Sequence, residues 1–330
     1  MDSSYIKNEI QLNYSMNIDS IEKVKNSYKI ETNKGCYGIK VIKYRFSHFY
    51  FIYSAIEHLQ KRGFNNIPKI LKTKNEEGFI KLGNNYAYLN EWIDCRNTDY
   101  KSKDELSLVS RKLGELHKCS EGFNINRNMK PRIGWYSWIK VFETRCEEIL
   151  DFKKRIFQKT YKSEFDLIYL DALEEEIERG KKAISELKEF NYYEQMDKEV
   201  FKRGFCHHDY AYHNVLIDKK GELNVIDFDY CILDTHIHDI GSLLIRSMKD
   251  GRWNKDTAKL IIDNYSLTNN ISKDQLKLMK AFIGFPQGFW QIGLQYYWEQ
   301  QPWGEEFLIK KINKYLDDRK ARERFLEDFI

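Results

Sequence analysis

His207-His208-Asp209-Tyr210-Ala211-Tyr212-His213-Asn214, followed by Val215-Leu216-Ile217 and then by Leu223-Asn224-Val225-Ile226-Asp227-Phe228-Asp229, is the stretch on which the fold turns. Its two short apolar runs flank a connection from Asp218 to Glu222 that contains Gly221, so they are expected to pair as an antiparallel hairpin. Asn214 stands just before the first strand and Asp227 just after the second. Both emerge at the hairpin's open end, where cross-strand neighbours lie on the order of 5 Å apart. An amide oxygen and a carboxylate at that separation are hard ligands, suited to a Mg²⁺ ion that also takes phosphate oxygens. Asp209 falls in the loop leading into this site, where a carboxylate can accept a hydroxyl proton.

Working outward, the chain divides into a strand-rich beginning and a helical remainder. Ser27 to Thr32 alternates, Asn33-Lys34-Gly35 supplies turn chemistry, and Cys36 to Tyr44 alternates again, which predicts a hairpin. Residues 47–62 switch to helical spacing with Phe51, Ile52, Ala55, Ile56 and Leu59 on one face, Glu57 beside that stripe and Gly63 as C-cap. Phe79–Leu82 and Tyr86–Ile93 read as two more strands around Gly83-Asn84-Asn85. Beyond them, Ser102 with Glu105 is a capping-box start, and residues 143–190 predict two antiparallel helices seamed by Ile149, Phe152, Ile156, Ile168 and Leu173. The segment Asp274–Trp303 is dense in aromatics, which are expected in the core or, for Trp290 and Tyr297, in the wall of an acceptor pocket.

Bulk composition excludes several classes. With 330 residues, 42% hydrophobic and 15% aromatic, the chain has ample material for a packed interior and fits two intimate lobes. A net charge of +4 with 32% charged residues implies interspersed signs, and nucleic acid is not expected as a ligand. The six cysteines contain no CxxC pair and read as reduced, buried small residues of a cytoplasmic protein. Neither a signal peptide nor a membrane-spanning stretch is expected.

The pattern HxDxxxxN, as His207-His208-Asp209 to Asn214, followed by Ile226-Asp227-Phe228-Asp229, resembles the catalytic and metal-binding loops of aminoglycoside-phosphotransferase-like kinases. The resemblance implies an α+β, bilobal protein-kinase-like fold, with an N-lobe at residues 1–92 and a C-lobe at 93–330. It implies transfer of a phosphoryl group from ATP, with Mg²⁺, to the alcohol group of a small molecule. Residue by residue, it makes Asp209 the catalytic base and His207 a support of its loop, with Asn214 and Asp227 as the metal holders. It makes Lys40 of Tyr37-Gly38-Ile39-Lys40 the strand lysine that contacts phosphates, and Glu57 its ion-pair partner. Asn90, Glu91 and Trp92 become the hinge whose backbone receives adenine. Glu91-Trp92-Ile93 and the aromatic end from Phe285-Pro286 to Trp303 are further similar to the spore-coat CotS-type kinase-like family. That likeness implies a protein made in the mother cell and associated with the spore coat, with other coat proteins as partners.

One departure bears on activity. Val24-Lys25-Asn26-Ser27, between the first two strands, lacks a glycine-rich phosphate cradle, which favours the alternative of a catalytically inactive coat component retaining the fold. Against it, clustered carboxylates repel one another without a cation. A second alternative, a zinc cluster drawn from His207, His208, His213 and His236-Ile237-His238-Asp239, matches no familiar ligand spacing.

Overall fold

The computed structural model describes residues 3–25 and 27–329. Asn26, in the turn without a glycine-rich cradle, lies outside the described residues. Helix α1 (Ser3–Asn13), which the sequence reading did not anticipate, precedes strands β1 (Ile18–Val24), β2 (Ser27–Thr32) and β3 (Gly35–Ile42). Helix α2 (Phe46–Lys61) follows, and then β4 (Ile80–Leu82) and β5 (Asn85–Glu91). The strands form one antiparallel sheet in the order β1-β2-β3-β5-β4. Alternation produces it: Tyr28, Ile30 and Thr32 of β2 are buried while the residues between them are more open. In the turn to β3, the Thr32 hydroxyl accepts the Lys34 N–H at 3.1 Å and Gly35 takes φ +125°. Helix α2 buries Phe51, Ile52, Ala55, Ile56 and Leu59 as expected and stops where Gly63 adopts φ +86°.

The chain then becomes largely helical. After β6 (Cys95–Asn97) come α3 (Lys103–Ser120), α4 (Trp138–Gln158), α5 (Glu164–Glu189) and α6 (Tyr192–Lys202). The hairpin β7 (Val215–Asp218) and β8 (Leu223–Val225) is followed by α7 (Ile237–Met248), α8 (Lys255–Ser266), α9 (Lys273–Gly284), α10 (Gln287–Gly293) and α11 (Glu305–Glu327). Strand β6 adds to the hairpin's outer edge, giving a second sheet ordered β6-β7-β8. The predicted seam between α4 and α5 buries Ile149, Phe152, Ile156 and Leu173. Gly180 of α5 is needed there, since a Cβ would stand 2.5 Å from the Cys146 sulfur. The capping box at Ser102 is only half formed. Its hydroxyl accepts the Glu105 N–H at 3.4 Å, but the Glu105 carboxylate turns to Arg96 at 2.8 Å and to the Asp99 N–H at 2.7 Å.

Two aromatic expectations change. Tyr297 is buried, stacks on Phe152 and donates to Asp166 at 3.0 Å, while Trp290 donates to Glu148 and lies under the Arg145 guanidinium. Both rings are already faced by protein, so neither is offered to an acceptor. The cysteines are all free thiols, but only Cys146, Cys206 and Cys231 are buried, and Cys36 is exposed.

The core divides unevenly. A small cluster, including Ile6 and Ile10 of α1, packs on the sheet through Ile30, Ile39, Leu82 and Leu89. The much larger cluster fills the helical part and also takes in Phe49, Phe51, Ile52, Ala55 and Leu59 of α2. No helix among the described residues is long and apolar enough to cross a membrane.

Candidate active site

The β7–β8 hairpin pairs Val215 with Val225 and Ile217 with Leu223, and the Ile226 N–H donates to the Asn214 carbonyl at 2.9 Å. Asn214 and Asp227 therefore leave the ladder together, as the spacing predicted. Asp227 departs in the left-handed region at φ 64°, a conformation that costs an L-residue free energy and concentrates at functional sites.

The loop before β7 is held from beneath by one carboxylate. Asp239, fully buried at the start of α7, accepts the N–H groups of His207 at 2.7 Å and His208 at 2.9 Å, and faces His117 at 3.2 Å. Burial would raise its pKa, but the hydrogen bonds from His117 and His238 outweigh burial and hold it well below the usual carboxylate range. His208 is thereby fixed at φ 69°. His207 Nε2 donates to the Ile226 carbonyl at 2.9 Å and its Nδ1 accepts the Asp209 N–H at 3.3 Å, which defines a neutral tautomer. Burial pushes its pKa down, in keeping with that neutral form. His207 thus ties the loop to the far strand.

Asp209 is half-buried between two donors. Its Oδ1 accepts from Arg246 of α7 at 2.8 Å, and its Oδ2 from Asn214 Nδ2 at 3.0 Å. The Asn214 amide also donates to the Asp209 carbonyl at 2.9 Å. With its nitrogen engaged, Asn214 keeps its oxygen for another partner.

Lys40 of β3 crosses to the hairpin and places its ammonium 2.9 Å from Asp227 and 3.0 Å from Asp229. Burial would lower its pKa, but the charges of Asp229 and Asp227 reverse that and raise it. Asp229 is pushed up by burial and by Asp227, against the pull of Lys40. Its second oxygen, Oδ1, is buried with no partner. A buried carboxylate oxygen left unpaired is costly. Together with Asp227 and the Asn214 oxygen it supplies the hard donor set that suits Mg²⁺. The residues present fit that ion.

The expected pairing of Lys40 with Glu57 is not made. Glu57 accepts from Tyr53 one turn earlier on α2 and pairs with Lys72 at 3.0 Å and Lys61 at 3.6 Å. Lys72, in the loop before β4, lies nearer, and the two C-lobe aspartates hold Lys40. Glu57 therefore has no place among the groups that face the cleft.

Between the sheet and the hairpin lies a cleft of about 190 Å³, lined by Gly38, Lys40, Tyr88, Asn90, Glu91, Trp92, Ile93, Leu216, Ile226 and Asp227. The hinge residues named from the sequence all border it. The N–H groups of Glu91 and Trp92 are spent on the carbonyls of Lys69 at 3.3 Å and Cys36 at 3.1 Å. Ile93 is the next position whose backbone can read a ligand edge. A Cβ at Gly38 would stand 3.1 Å from Asn90 Oδ1 and 3.4 Å from the Trp92 ring, so glycine keeps the cleft's upper wall close.

Asp229, Arg246, Asp239 and His117 were not given these places by sequence reasoning. Asp229 and Asp239 lay inside quoted motifs, but Arg246 and His117 carry no local signal. Of the histidines considered for zinc, His208 stacks on His238, but none of them joins a group with metal-ligand proximity among the described residues. Among the described residues, the group with metal-ligand proximity is His117, Cys206 and Asp239, all buried. Each is already engaged, His117 by the Tyr265 hydroxyl at 2.8 Å and Cys206 by the Thr235 carbonyl at 3.1 Å. The cluster anchors the loop.

Known proteins share this fold. The chain is 23% identical over 330 residues to spore coat protein S of Bacillus subtilis, covering 98% of this chain and 93% of that one. Its fold matches an aminoglycoside phosphotransferase from Alicyclobacillus acidocaldarius with a TM-score of 0.85 at 18% identity, over 98% of this chain and 94% of the other. It also matches spectinomycin phosphotransferase, solved with ADP and spectinomycin, with a TM-score of 0.68 at 14% identity, over 100% and 98% of the two chains. The expected α+β, bilobal kinase-like fold is the fold observed. The family described as "Spore coat putative kinase YutH" matches residues 7–329, and the chain belongs to it.

Proposed function

We propose that this protein is an ATP- and Mg²⁺-dependent phosphotransferase that acts on the hydroxyl group of a small molecule and associates with the spore coat. The observation that carries the reading is the junction of Lys40, Asp227 and Asp229, with the Asp229 Oδ1 buried and unpaired beside it. Two carboxylates meet at the Lys40 ammonium, which joins β3 to the hairpin, and the Asn214 oxygen at the hairpin's open end would complete a cation site. Spectinomycin phosphotransferase holds ADP and its antibiotic acceptor, which supports a nucleotide and a hydroxyl-bearing acceptor here. Likeness to spore coat protein S supports the coat association.

Bound Mg²⁺ supplies neutralisation of phosphate charge. Asp209 takes the acceptor's hydroxyl proton, its carboxylate aimed by Arg246 and Asn214. Lys40 turns from the aspartates toward the nucleotide phosphates. Leu216 and Ile226 offer the apolar floor for adenine, and Ile93 a backbone edge.

The test is thermal stability with and without millimolar Mg-ATP, since a ligand that binds only the folded state stabilises it by mass action. Wild type is expected to melt higher with Mg-ATP and Asp227→Ala to lose most of the shift. Asp209→Asn is expected to keep the shift and lose ATP turnover. Absence of any shift in wild type would instead favour a coat component that retains only the fold.

A further inference from the structure

A second cavity, about 430 Å³ in volume, lies in the helical part and shares no lining residue with the cleft between the sheet and the hairpin. Helices α3 and α8 run side by side and parallel. Near their C-terminal ends a Cβ at Gly114 would lie 2.7 Å from the Tyr265 carbonyl, and at their other ends Lys103, the first residue of α3, and Asn254, the N-cap of α8, both line the cavity. Parallel packing adds two helix dipoles with their positive ends at one place. Lys101, Lys103 and Arg252 line the same cavity, and the charged ends of their side chains have no carboxylate partner among the described residues. Arg252 spends only its Nε, on the Lys249 carbonyl at 3.1 Å.

An independent mark comes from the far wall. Ser247 of α7 borders the cavity, is 4% exposed, and its hydroxyl is buried without a hydrogen-bond partner. A buried hydroxyl is normally satisfied, so this one points to a group that the protein chain does not supply. Leu106, Tyr100 and Trp253 add an apolar side, and the volume falls within the range of small-molecule sites and exceeds what a lone oxyanion fills.

The geometry points to a binding site for a small organic phosphate, with its phosphoryl oxygens at the cations, the helix starts and Ser247, and its organic part against Tyr100 and Trp253. Such a ligand lies directly behind the catalytic loop. The Tyr100 hydroxyl donates to the Tyr210 carbonyl at 3.3 Å, and Ser247 follows Arg246, the residue that aims Asp209.

Calorimetric titration of the full chain with phenyl phosphate and with inorganic phosphate, at constant ionic strength against chloride and without Mg²⁺ or nucleotide, tests this. Both are expected to bind, phenyl phosphate more tightly, and Lys103→Gln with Arg252→Gln is expected to weaken both roughly tenfold or more, as lost charge-assisted hydrogen bonds should. The same double variant keeps its Mg-ATP melting shift, which separates this site from the Lys40 cleft. Ser247→Ala is expected to weaken phosphate binding while melting at the same temperature or higher without ligand, since it removes an unpaired buried hydroxyl. Equal phosphate affinity in wild type and the double variant would assign the anion to Lys40 and overturn the proposal. So would binding of neither phosphate above chloride, or equal affinity for the two phosphates, which would leave the apolar wall without a role.

Discussion

Lys40 shows how one residue can be legible in kind and misread in partner. A lysine on a strand of the first sheet was visible from Tyr37-Gly38-Ile39-Lys40, but whether it meets Glu57 or the hairpin aspartates depends on the rotation of α2 against the sheet, which periodicity does not encode. The observed pairing makes a direct prediction. Replacing Lys40 with Met leaves Asp227 and Asp229 facing each other without a cation, and stability should fall by about 1–3 kcal/mol for a partly buried pair. Millimolar Mg²⁺ should restore much of that loss in chemical denaturation, because the ion takes the vacated position. Stability of the variant unchanged by Mg²⁺ would show that the aspartates do not converge on a cation. Arg246 was beyond sequence reasoning, because nothing local connects it to a carboxylate 37 residues earlier in the chain.

At the scale of elements, the hairpin was the most legible piece. Its apolar runs, the turn from Asp218 and Gly221 at φ +82° leave one register. Less legible was the support beneath it, where α7 meets the loop before β7. There His208 stacks on His238, with centroids 4.2 Å apart, and burial together with the His238 charge pushes the His208 pKa down to about 4. A histidine held neutral in the fold takes up its proton more readily when unfolded. Its contribution is fully present above about pH 6.5 and is lost as pH falls toward 4. Asp234, pushed up to about 6 by burial, acts in the opposite sense as pH falls through 6, but His236 is also held well below its usual pKa by burial. Stability is therefore expected to decline from pH 7 to 5. In His208→Asn, whose side chain tolerates the left-handed backbone, the decline should be shallower when melting is followed against pH. A second join is at Asn66, which donates to the Leu223 carbonyl at 2.6 Å, accepts the Val225 N–H at 2.7 Å and receives Lys112 at 2.9 Å. Asn66→Ala should cost about 1–2 kcal/mol in chemical denaturation, for two side-chain hydrogen bonds between the parts.

Across the whole molecule, the first sheet and the helical body have separate interiors of very different size. Fewer buried apolar contacts mean easier local opening. Amide exchange is expected to be faster in β1 and β2 than in α3 and α7, and Mg-ATP should slow β3 most, where Lys40 sits; uniform exchange across both parts would contradict the division. The overall plan, strands first and helices after, was readable from the change of period, but the ownership of α2 was not. Its sequence says only that one face is apolar, and tertiary packing assigns that face to the larger interior. Helix α11 escaped notice for a related reason, since Leu308, Ile312 and Phe325 are its few buried apolar residues among many charges. The allegiance of α2 has a consequence of its own. In protein kinases the corresponding helix can be positioned to govern activity. Here it is riveted to the body by its apolar face, by His58 against the Glu121 carbonyl at 3.1 Å and by the Lys130 N–H on Ser47 at 2.9 Å. A lever welded to the chassis cannot serve as a clutch, so a swinging α2 is not a control element this fold offers.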